Sequence, residues 1–343
     1  MNRFLKQVFY FGLIGFITLL LLLVFYIATD PFKVIYTYNS YFENESKGRV
    51  AMNKSFVSTS TFLNNHKQLK LDYDSFIFGN SRSIFYEISE WEKHLPENAN
   101  PFHFDGSSEA IWTILKKLEL IDKEGLEIKN ALLVLDPATL LQDEPKTGHL
   151  FITPPALVNN KNSIAFHWTF FKTFSSPKFL IAFTDFKLSG TVKPYMTKNK
   201  LIQDFSFNYD AITNEIRNDV FEDLIEKNQY YTEERMAVFY ERETIQKYHQ
   251  TTIKAPQEKI LNSIYTLLSK HKTDFKIIIS PLYDQKKIST EDLKFLEELF
   301  GNQNVFDFSG INEFTNDYKN YYENSHYRPH VATAILKEIY KKD

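Results

Sequence analysis

Cysteine is absent from all 343 residues. That excludes disulfides and thiolate metal sites, and it leaves the redox compartment open. Neither sign of charge dominates: 40 Lys and Arg stand against 43 Asp and Glu, a net charge of -3, so there is no electrostatic footprint for nucleic acid. No internal repeat is visible, and no His-Glu-x-x-His pattern of a helical zinc site. Charge is missing altogether from Val8 to Ala28. What the chain does have is apolar and aromatic bulk, 43% apolar residues with 32 Phe and 20 Tyr, which is a globular composition and not a disordered one. Its length allows one large domain or two smaller ones.

The uncharged run is about twenty residues long, enough to cross a bilayer as a helix. Tyr26-Ile27-Ala28-Thr29-Asp30 is a poor cleavage site for a secretory signal, so an uncleaved anchor is expected, with removal as the alternative. Arg3 and Lys6 precede the span, which favours a cytoplasmic N-terminus and a periplasmic or extracellular main domain. Lys33 follows closely, so the asymmetry is modest. Tyr10 and Tyr26 fit the two membrane interfaces.

Residues 30–70 are polar and rich in Asn, Ser and Thr, and read as a juxtamembrane connector with some helix. From residue 71 strands and helices alternate. Ser75–Phe78, Pro101–Phe104, Ala131–Leu135, Phe275–Ile279 and Val305–Phe308 are short apolar runs of the kind that form buried strands. Ile111, Ile114, Leu115 and Leu118 show helical spacing, as do Ile260, Ile264, Leu267 and Leu268, and Val331, Ile335 and Ile339. Ser289 with Asp292 three residues later marks a helix start. The pattern predicts an α/β domain over 71–343, a three-layer sandwich with a mostly parallel sheet. Between about 142 and 255 the alternation lapses, and this stretch reads as an insertion. Its crowd of aromatics, from Phe166 to Phe186, is expected to be the insertion's own core; a lid or a membrane-contacting face are the alternatives.

Ligands in parallel sheets gather at the carboxyl ends of the strands, and Gly79, Asp105-Gly106 and Asp136 all fall there. Ser81 follows Gly79 by two residues, at a sharp turn that exposes its hydroxyl. A serine hydroxyl needs a base within hydrogen-bond reach, and the base needs a partner that fixes its tautomer. His326 can be the base and Glu323 the orienter, in a segment expected to open the last helix. The backbone N–H groups of Ser81 and Gly106 are the natural oxyanion donors. Arg82 can hold an anionic substrate group or pair with a carboxylate. Asp136 can face the pocket or cap a loop. His326 and His330 are four apart and could face one metal, but no further ligand pattern accompanies them, and neither a metal nor a cofactor is expected. Asn44-Glu45-Ser46 and Asn53-Lys54-Ser55 fit glycosylation acceptors, a pattern common by chance.

Gly79-Asn80-Ser81-Arg82, Asp105-Gly106-Ser107-Ser108 and Glu323-Asn324-Ser325-His326 resemble, in order and spacing, the motifs of the SGNH/GDSL hydrolase superfamily. More narrowly the pattern resembles its membrane-anchored branch, which includes the D-alanyl transfer protein DltD and the AlgJ/AlgX-like proteins of alginate acetylation. Ser325-His326-Tyr327-Arg328-Pro329 is similar to that branch's C-terminal motif. The resemblance covers about 74–340 outside the insertion. It implies Ser81 as nucleophile, His326 as base and Glu323 as orienter. It also implies a partner of the membrane-bound O-acyltransferase type.

Two positions depart from the family pattern. The usual aspartate is Glu323 here, one methylene longer. The superfamily's oxyanion Asn after the third strand is not evident: Asp136 stands there, and an ionised carboxylate cannot donate. Asn80 is then the side-chain substitute. The expected function is a serine O-acyltransferase, or an acyl-transfer accessory, acting on a cell-envelope polysaccharide. The alternatives are an esterase or deacetylase using the same pair, and a non-catalytic glycan-binding or assembly subunit.

Overall fold

The computed structural model describes residues 3–43, 48–198 and 201–341. Five strands, β1 (Ser75–Gly79), β2 (Pro101–His103), β3 (Asn130–Leu135), β4 (Asp274–Ile279) and β5 (Val305–Asp307), form one parallel sheet in the spatial order β2-β1-β3-β4-β5. The α/β class and all five strand segments agree with the sequence reading. The strands read as near-continuous apolar runs because both faces of the sheet are covered.

Alternate residues point to opposite faces. Phe76, Phe78, Leu133, Leu135, Ile277 and Ile279 pack on one side, against α2 (Lys54–Leu69), α3 (Ile111–Lys123), α7 (Ala255–His271) and α8 (Thr290–Phe300). Ile77, Leu132, Val134 and Ile278 pack on the other, against Trp91 and the apolar stripe of α9 (Pro329–Ile339). The order reverses between β1 and β3, since the chain runs from β1 outward to β2 and then crosses back to β3. Such a reversal leaves a crevice at the strands' carboxyl ends.

The segment 30–70, expected as a connector, contributes to this core. Asn53 caps α2 by accepting from the Phe56 N–H, and Phe62 of α2 is fully buried against Phe76, Phe102 and Phe104. The helix expected somewhere in this segment is α2, and its Ser55, Ser58, Thr59, Thr61 and Asn65 are buried along with Phe62. Asn53 also donates to the carbonyls of His149 and Ile152 and is 1% exposed, so it is not open to a glycan. Asn44, the other candidate acceptor, lies outside the described residues.

Helix α1 (Arg3–Thr29) is long and apolar enough to cross a membrane. It ends where Pro31 follows, since the residue before a proline leaves helical geometry. Asp30 there has φ 32°, and its carboxylate accepts from the N–H groups of Val34, Ile35 and Tyr36 and from the Tyr38 hydroxyl. One buried carboxylate thus organises the loop between the helix and the domain.

In the insertion, α4 (Ser163–Phe174) and α5 (Pro177–Ser189) bury Phe166, Phe170, Phe171, Phe174, Phe179 and Phe183 together with Tyr26, Phe32 and Val34. The aromatic crowd is therefore a core, as expected, but one shared with the end of α1 and the loop after it. Two members stand apart: Phe186 is half-buried against a separate small cluster, and Trp168 lies exposed. Farther on, α6 (Asp219–Glu226) and the residues around it approach the carboxyl end of the sheet.

Candidate active site

Gly79 ends β1 against the neighbouring strand: a Cβ there would lie 2.7 Å from the Val134 carbonyl oxygen and 2.8 Å from the Ser83 Cβ. Only glycine lets the chain turn this closely. The turn is held by the Ser83 N–H and hydroxyl, which both donate to the Asn80 carbonyl, at 2.9 and 2.8 Å. One 3₁₀ turn, Ser83–Phe85, follows. Ser81 sits at the apex.

Two strands, β6 (Tyr321–Glu323) and β7 (His326–Tyr327), form a hairpin in which Glu323 and His326 are cross-strand partners. The motif expected to open the last helix lies instead on this hairpin, because α9 starts only at Pro329, whose fixed φ suits a first helical position. The hairpin also answers the extra methylene of Glu323. Directly opposed residues have Cβ atoms about 4.5–5.5 Å apart, a span that the longer side chain bridges. Glu323 Oε1 bonds His326 Nδ1, while Oε2 accepts from the Ser325 N–H at 2.9 Å. The other imidazole nitrogen, Nε2, lies 2.7 Å from Ser81 Oγ. Residues 245 apart in sequence thus form a continuous Ser81–His326–Glu323 chain. With Nδ1–H donated to Glu323, Nε2 is left as acceptor for the Ser81 proton, the tautomer a base requires.

The hairpin is clamped from several sides. Tyr230 and Tyr231 donate to the carbonyls of Tyr322 and Tyr321, at 3.2 and 2.8 Å. Glu222 of α6 accepts from the Tyr322 hydroxyl and pairs with Arg328. That carboxylate pushes the Tyr322 phenol pKa up, after burial, which contributes most.

Arg82 does not line the cavity. Its Nη1 pairs with Asp136 Oδ2 at 2.6 Å, and its Nε and Nη2 donate to the carbonyl and hydroxyl of Ser325, at 2.9 and 3.3 Å. Asp136, 1% exposed, caps the short helix Pro137–Leu141 through the Thr139 N–H and accepts from Asn80 Nδ2. Both side chains are thus engaged within the protein itself. The pair joins the end of β3 to the hairpin turn, next to His326. Lysine at 82 retains the charge facing Asp136 but not the planar fork that reaches Ser325. Arg82→Lys should therefore leave stability nearly unchanged and slow acylation of Ser81 about 10- to 100-fold. The second-order rate of labelling by a fluorophosphonate measures this; an unchanged rate would show that the turn holds without Arg82.

The oxyanion donors are rearranged relative to expectation. The Gly106 N–H donates to the Gly79 carbonyl at 3.1 Å, and the Asn80 amide hydrogens go to Asp136 and Thr139. Both are spent on holding the loop. Among the described residues the Ser81 N–H has no such partner and stays available beside the hydroxyl.

Residues that sequence reasoning did not nominate complete the site. A cavity of about 530 Å³ contains Ser81, Glu323 and His326 and is walled by Phe42, Phe85, Phe151, Phe205, Phe207, Phe221, Tyr230 and Tyr322. Five of these, Phe151 and the four from Phe205 to Tyr230, come from the insertion, so it covers the site from both sides of the aromatic crowd at 166–186. Arg235 stacks on Tyr230 and Phe221, with ring distances of 4.0 and 5.0 Å. Lys54, from the first turn of α2, reaches the cavity wall 3.6 Å from Asp105. Burial lowers its ammonium pKa, and Asp105 partly offsets this. The sequence carries one weak signal for Lys54: a cation in the first turn of a helix opposes the macrodipole.

His330 bonds Asn320 Oδ1 and both nitrogens of His326 are engaged, so the two imidazoles do not converge on one point. Compared with known proteins, the chain matches no family model, and no curated protein matches it.

Proposed function

We propose that this protein is a membrane-anchored, extracytoplasmic serine O-acyltransferase, or acyl-transfer accessory, of the SGNH type, acting on a cell-envelope polysaccharide. The observation that carries this reading is the Ser81–His326–Glu323 hydrogen-bonded chain opening into an aromatic-walled cavity. The SGNH-type three-layer arrangement belongs to the same reading, supported by a parallel sheet covered on both faces. So does the single-pass anchor with a cytoplasmic N-terminus, supported by the length of α1 and the positions of Arg3 and Lys6.

In the first step Ser81 Oγ attacks the acyl carbonyl of the donor while its proton passes to His326 Nε2. Glu323 stabilises the imidazolium, and the Ser81 N–H donates to the carbonyl oxygen as charge develops there. His326 then protonates the leaving group, and the acyl group rests on Ser81 as an ester. In the second step a sugar hydroxyl gives its proton to His326 and attacks the ester, and Ser81 regains a proton as it leaves. The aromatic wall offers flat apolar faces to a sugar ring and excludes the water that would hydrolyse the ester. A membrane-bound O-acyltransferase partner would supply the donor at the bilayer.

The test is turnover of p-nitrophenyl acetate by the full chain in detergent, with and without envelope oligosaccharides. Acylated sugar is the expected product. Acetate release that sugar does not alter would replace the transferase with an esterase. No turnover above a Ser81→Ala control would favour a non-catalytic subunit.

A further inference from the structure

Helices α4 and α5 carry a second feature, separate from the catalytic cavity. Their inner faces form the aromatic core, but Ile164, Trp168, Ile181 and Leu188 point outward and are 88%, 60%, 63% and 84% exposed. Ile164 and Trp168 are four apart, and Ile181 and Leu188 seven apart, so each pair lies on one helix face. On α5, Thr184 and Asp185 interrupt the face between Ile181 and Leu188, whereas the exposed Ile164–Trp168 pair of α4 is an apolar face that calls for a partner.

Its position identifies that partner. The helix pair is fastened to the last turn of α1 by ring contacts, Tyr26 with Phe171 and Phe174 at 5.6 and 5.2 Å, and Phe25 with Phe174 at 5.6 Å. Below this junction Ile164, Trp168 and Phe171 share an open, almost wholly apolar groove of about 470 Å³ with Leu19 and Leu23 of α1. At 1.5 Å per residue those leucines lie about 15 and 9 Å before Thr29, within the hydrocarbon if α1 spans a bilayer. Lys161 and Lys172 flank the Ile164–Trp168 face, and Lys178 precedes Ile181. Cations bordering an apolar face with an indole are the pattern of a helix lying in the interface plane.

We infer that α4 is an interfacial helix seated in the lipid beside α1, with α5 packed behind it, so that the domain is held against the membrane at two points. This rests on the reading of α1 as a membrane span and is independent of the chemistry at Ser81. The occupant of the groove is lipid acyl chain: its walls continue the lipid-facing surface of the span. Two attachment points restrict the tilt of the domain and fix the height of the cavity above the bilayer.

Tryptophan fluorescence tests this, because Trp91 is fully buried and Trp112 half-buried in the domain, leaving Trp168 as the exposed indole. The full chain is reconstituted in phosphatidylcholine–phosphatidylglycerol nanodiscs, with or without acyl-chain bromination. Bromolipid should remove most of the emission that separates wild type from Trp168→Phe, and iodide in the water should remove little. Quenching by iodide and not by bromolipid overturns the inference by placing the face in water. Resistance to both overturns it in favour of a second protein copy covering the face. Alkaline carbonate extraction of the membranes is the separate control. Release of the chain would mean that α1 itself does not span, and the inference would fall with that reading.

Discussion

Fluorophosphonate labelling of the detergent-solubilised chain will fall to background when Ser81 is replaced by alanine. Among the described residues the hydroxyl is the one group held 2.7 Å from an imidazole whose far side is tied to a carboxylate. Removing a nucleophile or base from such a unit costs roughly four to six orders of magnitude in rate. His326→Ala should therefore resemble Ser81→Ala. Glu323→Gln keeps the length of the side chain but not its charge, and it can present an amide to Nδ1 that favours the wrong tautomer. A loss on the order of 10³- to 10⁴-fold is expected. Glu323→Asp retains the charge but falls short across the hairpin, and should lie between Glu323→Gln and wild type. The labelling rate of each purified variant decides this. Labelling of Ser81→Ala at the wild-type rate would place the nucleophile elsewhere and remove the basis for the proposed acyl transfer.

Lys117→Met will cost about 3–5 kcal/mol of stability. Lys117 is fully buried, and it donates to the carbonyls of Phe104 and Asp105, at 3.1 and 2.9 Å, while pairing with Glu109. Glu109 lies directly beneath Gly106, where a Cβ would collide with its carboxylate. The pair therefore supports the loop that carries Ser107 and Ser108 into the cavity wall. Burial raises the Glu109 carboxyl pKa, even with Lys117 opposing it. Without Lys117 that rise grows, and the native state holds a proton that the unfolded chain releases. A carboxyl with a raised native pKa loses its stabilising contribution as pH climbs through that value. The deficit of Lys117→Met should thus be larger at pH 8 than at pH 5, and adding Glu109→Gln should recover part of it. Urea midpoints at the two pH values measure this. A Lys117→Met deficit under about 1 kcal/mol, flat with pH, would mean that the pair is not the support described.

The sequence alone is enough to predict the parallel α/β sheet and the turn at Gly79. Both rest on local signals: apolar runs such as Ser75–Phe78 that suit a doubly covered strand, and a glycine where backbone approaches backbone. It also nominated Ser81, Glu323 and His326, because a serine at a strand end and a carboxylate close to a histidine are short patterns with a chemical meaning. What these residues meet is visible only in the folded chain. Arg82 and Ser325 are 243 residues apart, and the choice between binding substrate and holding the hairpin turn depended on their meeting. Gly106 and Asn80 kept the right chemistry for an oxyanion, but their N–H groups were already engaged by neighbours that no spacing rule places there. The wall from Phe205 to Tyr230 had no pattern to mark it, and Lys54 only the weak one of a cation in a helix's first turn. Their role comes from which side of the sheet the connector helix and the insertion pack against, and that is settled by burial summed over the whole chain, not by any short stretch of it.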